Sequence, residues 1–148
     1  MKKVLLAMLA LAMLLGMVTT AMAEGTPDDA KAMVEKAVAL YQANGKEALL
    51  AEVNNPSGSL IKEDIYVFVF DMEGNTLAHG ANPKLVGKNM LKMKDADGKE
   101  FMRDFYKVPD SGGWVEYKWT HPTQKKIRDK VSWIMMKDGL LFGSGAYK

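Results

Sequence analysis

Ile65-Tyr66-Val67-Phe68-Val69-Phe70 runs into Asp71-Met72-Glu73-Gly74-Asn75 and returns as Thr76-Leu77-Ala78-His79-Gly80. Six consecutive β-branched or aromatic residues predict a strand, and the lack of a polar alternate means that both of its faces are covered. The five residues after it carry turn chemistry, so Thr76 to Gly80 comes back as the second arm of a hairpin. A strand apolar on both sides belongs in the middle of a sheet. The rest of the chain must supply its neighbours and its two covers.

The neighbours lie downstream. Trp114 to Trp119 alternates, with Val115, Tyr117 and Trp119 on one face and Trp114, Glu116 and Lys118 on the other. A polar turn from Thr120 to Lys126, with Pro122, leads to a strand from Ile127 to Met136. Lys137-Asp138-Gly139 is a tight hairpin turn into a fifth strand, Leu140 to Tyr147. The covers are helical. Thr26 caps, Pro27 suits the first turn, and Asp28 and Asp29 sit at the positive helix end. Ala30, Met33, Val34, Ala37, Val38 and Tyr41 then recur at helical spacing until Asn44-Gly45, and a shorter helix fits Lys46 to Val53. Residues 57–63 read as a connector and 81–91 as a loop. A third helix is expected to begin around Asp97, with Phe101, Met102, Phe105 and Tyr106 on one side, and to close at Pro109 to Gly113. Short turns between strands demand antiparallel pairing, so the order predicts an α+β domain with a five-stranded antiparallel sheet and helices on its faces.

Upstream, Lys2-Lys3, an apolar stretch from Val4 to Val18 and small residues at Ala21 and Ala23 make the three parts of an export signal, with Glu24 as the first mature residue. The apolar run is shorter than the roughly 20 residues a spanning helix needs. Residues 24–148 are then expected to form a single domain, periplasmic or secreted and not inserted in a membrane. Of the 20 basic residues two are Lys2 and Lys3, and no acid precedes Glu24, so 24–148 carries 18 of each sign. A neutral domain does not suit nucleic acid. The chain has no Cys and only two His, which removes disulfides, thiol chemistry and sulfur- or multi-histidine metal centres. No cofactor is expected.

Few residues suggest chemistry by themselves. Asp95, Asp97 and Glu100 fall short of a calcium loop and read as acids near a helix start; Asp71, Glu73 and Asn75 sit where a hairpin must turn. Gly143-Ser144-Gly145 lacks the first glycine of a nucleophile elbow, since Phe142 stands before it, and reads instead as a place of close approach. His121, in a turn with Pro122, reads as solvated. No nucleophile, base and orienting group come together, so an enzyme is not indicated. Tyr117 and Trp119, with Trp133 on the next strand, fit either a core or the wall of a pocket for a small polar ligand.

Tyr66 to Gly74, Leu77-Ala78-His79, Asn82-Pro83-Lys84-Leu85-Val86-Gly87-Lys88-Asn89, Gly113-Trp114-Val115-Glu116-Tyr117-Lys118-Trp119, Pro122 and Gly139-Leu140 with Gly143 to Tyr147 together resemble the single Cache family of extracytoplasmic sensor domains. The resemblance runs from about Asp28 to the end. One departure is Gly80, where the family usually has Pro after the His. The resemblance implies a PAS-like sheet with a long N-terminal helix and a pocket on one sheet face for a small molecule, often a short organic acid. It implies a membrane receptor or histidine kinase as partner, and the sequence ending at Lys148 is expected to act as a stand-alone sensor. The alternatives are an accessory interaction module and, last, a small hydrolase.

A carboxylate leaving water needs charged or N–H donors. Tyr117 and Trp119 are the foremost candidates to line the pocket, then His79 and Arg103, with Phe68 as wall. Lys88, Arg103 and Lys118 are the available cations. Lys118 faces away from Trp119 on a regular strand, so only one of those two should line the pocket.

Overall fold

The computed structural model describes residues 23–148, so the export signal read at 1–23 lies, apart from Ala23, outside the described residues. Helix α1 spans Pro27–Val53. Its capping box is formed, with Thr26 and Asp29 exchanging side-chain and backbone hydrogen bonds. The stop read at Asn44-Gly45 is a kink within one long element. Gly45 takes φ 86°, ψ 178°, outside the helical region, and the second segment continues at once to Val53.

Strand β1 (Ile61–Lys62) precedes β2 (Ile65–Asp71) and β3 (Thr76–His79). A 3₁₀ turn at Pro83–Leu85 and the short helix α2 (Phe101–Phe105) follow. Strands β4 (Gly113–Thr120), β5 (Ile127–Lys137) and β6 (Leu140–Tyr147) complete the chain. The sheet order is β1-β2-β6-β5-β4, with β3 on the same edge of β2 as β1, and every pairing is antiparallel.

The expected α+β architecture with its long N-terminal helix is therefore present, with three further differences. The connector 57–63 holds a sixth, two-residue strand, because Ile61 and Lys62 reach the β2 register opposite Tyr66 and Ile65. The helix expected around Asp97 starts only at Phe101. Asp95 ties up the backbone N–H groups of Asp97 and Lys99, each at 2.9 Å, in a turn that competes with helix. His121 is buried, 2% exposed, rather than solvated. Its Nδ1 accepts from the N–H groups of Thr123 and Gln124, and its ring lies 4.6 Å from that of Tyr147.

The two sheet faces divide by alternation. Val67, Val69, Leu140 and Phe142 pack under α1 against Val34, Ala37 and Leu49. Tyr66, Phe68, Phe70, Tyr117, Ile134 and Tyr147 form the other face, under Phe101, Met102 and Phe105.

Candidate functional site

The second face is where the polar-tipped aromatics gather. Phe68 and Phe105 stack at 5.8 Å between ring centroids, Phe101 and Tyr117 at 4.8 Å, and Trp119 meets Phe101 edge-on at 5.5 Å. His79, at the end of β3, lies 5.1 Å from the Tyr66 ring. These side chains, with Leu85 and Met90, enclose a chamber of about 10 Å³. Beside it an open cleft of about 470 Å³ shares Tyr66, His79, Leu85 and Trp119 with the chamber.

A buried cation sits at the chamber's edge. Lys130 is 1% exposed. Its Nζ donates to Tyr66 Oη at 2.9 Å and lies 4.0 Å from that ring's centroid and 4.8 Å from that of Tyr147. Among the described residues it has no carboxylate partner within ion-pair distance. Burial pushes the ammonium down to about 7, with Asp64 opposing the shift. The Tyr66 and Tyr147 hydroxyls are 3.2 Å apart, Tyr147 donates to the Thr120 carbonyl at 2.8 Å, and Tyr117 meets Ser132 Oγ at 3.0 Å. Burial, the leading cause for each, raises all three tyrosines above their ordinary range and holds their O–H groups protonated.

His79 is fixed at both ends. Its backbone N–H donates to Asn54 Oδ1 at 3.1 Å, and its Nδ1 accepts from the Asn82 N–H at 3.0 Å. An accepting Nδ1 places the ring proton on Nε2. Burial, then the charge of Lys130, lowers the imidazole to about 3, so it is a neutral N–H donor near neutral pH.

The structure therefore brings Tyr117, Trp119, His79 and Phe68 together on one chamber. It does not bring Arg103 or Lys118 there. Arg103 lies on the outer side of α2, its side chain 66% exposed and paired with Glu100. Lys118 points to the opposite side of β4 from Trp119, as strand alternation requires, and is held by Asp129 at 2.6 Å and Asp97 at 3.7 Å. Lys88 is exposed. Trp133 faces α1, under Lys31.

The cation of the chamber, Lys130, was missed by reading the sequence. The signal that could have found it is the alternation of β5. Lys130 shares a face with Ser132, Ile134 and Met136, while Val131, Trp133 and Met135 face α1. The glycines of β6 carry the same message. A Cβ on Gly145 would lie 2.1 Å from Ser132 Oγ and 2.7 Å from Lys130 Cε, and one on Gly143 would lie 2.1 Å from the Phe68 ring. Both glycines make room for the side chains that build the chamber.

A family model described as Single Cache domain 2 matches residues 5–139. The chain belongs to that family. Cache domains are extracytoplasmic sensors of receptors. The sensor histidine kinase MctS of Rhizobium johnstonii is 32% identical over 88 residues, 57% of this chain. The methyl-accepting chemotaxis protein McpP of Pseudomonas putida is 28% identical over 88 residues, again 57% of this chain. The chain spans 19% and 16% of the length of those two proteins. Among solved structures, a methyl-accepting chemotaxis protein of Vibrio parahaemolyticus superimposes with a TM-score of 0.71 at 21% identity, covering 81% of this chain and 86% of that one. A Cache chemosensory domain solved for carboxylic acid recognition reaches a TM-score of 0.60 at 25% identity, with 81% and 86% covered. Among the described residues of this Cache chain no helix is long and apolar enough to cross a membrane.

Proposed function

We propose that this Cache domain senses a short organic acid outside the cytoplasm and passes the event to a membrane partner of the histidine kinase or chemoreceptor class. The observation that carries the reading is Lys130, a buried cation against the Tyr66 wall of the aromatic chamber, with no carboxylate within ion-pair distance among the described residues. A protein keeps an ammonium out of water only with compensation, and an incoming carboxylate supplies it. Tyr66, Tyr117, Trp119 and His79 offer hydroxyl, indole and imidazole donors for the anion's remaining lone pairs. Phe68, Phe101 and Phe105 offer an apolar wall for a short carbon chain. The two kinds of relative, and the neighbour that recognises a carboxylic acid, support the same assignment. The chamber has the volume of about one water, so seating even a two-carbon acid requires its wall to move outward. That displacement is the event a sensor can report.

Thermal shift and calorimetry with acetate, propionate, pyruvate, lactate and amino acids test the reading. Ligand at about a hundred times its dissociation constant adds roughly 2.7 kcal/mol of stability. For a domain of this size that raises Tm on the order of ten degrees. If none of these compounds shifts the wild type, or if Trp119→Ala binds the hit as tightly as the wild type, the assignment falls.

A further inference from the structure

Two open depressions touch the chamber wall, and their charges differ. The first, about 470 Å³, meets the chamber at Tyr66, His79, Leu85 and Trp119, and no carboxylate among the described residues lines it. It carries Lys84, from the 3₁₀ turn, and Lys125, from the β4–β5 turn; both are exposed and neither is in an ion pair among the described residues. The second, also about 470 Å³, reaches Tyr117 and Lys130 from the β4 edge. It is lined by four carboxylates, Asp95, Asp97, Glu116 and Asp129, and by four lysines, of which Lys99, Lys118 and Lys148 are bound to Asp104, Asp129 and Glu116 and Lys130 is buried.

We infer that the first cleft is the anion's entrance, and that Lys84 and Lys125 draw a carboxylate to the door formed by Leu85 and Trp119. This inference rests on the proposed carboxylate site. A depression lined by unpaired positive charge concentrates anions and raises their association rate, while the other depression, where four carboxylates face four lysines, offers an anion no net attraction. The door is a modest one. Leu85 is carried by a short turn closed by its N–H to the Asn82 carbonyl at 3.1 Å and by the Lys88 N–H to its own carbonyl at 3.0 Å. The two lysines stay in the solvent-facing cleft, so they act on arrival and not on the bound state.

The experiment uses propionate or acetate, whichever binds more tightly, with Trp119 fluorescence in stopped flow or NMR line-shape analysis as the rate measurement. Equilibrium titration of the wild type comes first. Failure to bind there overturns the carboxylate site and the entrance together. Given binding, K84E/K125E is expected to lower kon about five- to tenfold at low salt, with koff unchanged within about twofold. The wild-type kon should fall as salt is added and the variant's should not. K137E makes the same kind of charge change at the β5–β6 turn, the far end of an 11-residue strand, and should leave kon unchanged. D97N/E116Q, at the second depression, should also leave kon unchanged. Equal rates for K84E/K125E and K137E, or faster binding by D97N/E116Q, would overturn the entrance and leave the carboxylate site standing.

Discussion

The two faces of the sheet are built from alternate residues of the same strands, yet they are furnished differently. Under α1 the fully buried contacts are mostly aliphatic: Val67, Val69, Leu140, Val34, Ala37 and Leu49, with Phe142 as the buried ring and Tyr41 and Trp133 partly buried beside them. Under α2 they are aromatic and polar-tipped, with a lysine buried among them. A face that only holds a fold together has no use for a cation out of water, because desolvating it is unfavourable and hydrocarbon of the same volume packs as well. One face is thus built for stability, and the other carries a feature that opposes it.

The largest effect belongs to the first face. Phe142→Ala removes a fully buried ring from beneath α1. It is expected to destabilise the protein by about 3–5 kcal/mol in chemical denaturation. The folded fraction should still bind carboxylate within about twofold of the wild type. A variant of normal stability that no longer binds would erase the division between the faces.

Lys130→Met should do the reverse. Binding measured by calorimetry should weaken about a hundredfold, since the bound carboxylate loses its buried charge partner. Stability of the unliganded protein should hold or rise, because Met fills the volume without the desolvation penalty and Tyr66 keeps Tyr147 as a hydrogen-bond partner at 3.2 Å. A marked drop in Tm with unchanged affinity would make Lys130 a structural residue.

The same lysine sets the pH dependence. Its folded pKa is lowered to about 7 from 10.5. Between those values the unfolded chain holds a proton that the folded chain does not, so unliganded stability rises with pH across that window. Below about 7 both states are protonated and the penalty is constant. The slope approaches about 1.4 kcal/mol per pH unit and should vanish in Lys130→Met. Carboxylate binding has the opposite sign, because the anion favours the ammonium. Affinity should fall about tenfold per unit above pH 7, with proton uptake visible as a buffer-dependent binding enthalpy. His79, lowered to about 3, should contribute no step near pH 6. A midpoint near 6 that disappears in His79→Gln would transfer the titration to the imidazole.

Most of the fold was legible because it rests on period. Six apolar residues in a row at Ile65 to Phe70 marked the central strand, and alternation at Val115, Tyr117 and Trp119 marked a face. The chamber was half legible for the same reason: Tyr117 and Trp119 point the same way on any regular strand. The cation was not, since a lysine in an amphipathic strand ordinarily faces water. Alternation along β5 puts Lys130 on the face of Ser132 and Ile134, and the register of β5 against β6, with Gly145 vacating the space at Lys130, makes room for it to turn inward. The helix start near Asp97 misled because an acid caps a turn as readily as it caps a helix, and Asp95 holds the turn. His121 misled because a proline-containing turn between strands usually lies at the surface, whereas this one folds over Tyr147.

The smallest effect belongs to a residue on neither face. Arg103 carries a full charge near the proposed carboxylate site in sequence terms, and its guanidinium is the better carboxylate partner in general. In the fold it projects from the outer side of α2, with its side chain 66% exposed and its charge engaged by Glu100 three residues earlier. A pair of that kind contributes at most about 0.5 kcal/mol and is screened by salt. Arg103→Ala is therefore expected to leave Tm within about a degree or two and carboxylate affinity within about twofold. The comparison sharpens if Arg103→Ala and Lys130→Met are titrated side by side with the same ligand. Below about pH 7, where Lys130 is protonated, each removes one positive charge, so an effect of net charge would weaken both alike. A loss confined to Lys130→Met assigns recognition to the buried cation. A tenfold loss in Arg103→Ala would mean that α2 turns inward when the ligand binds, carrying a second cation to the chamber.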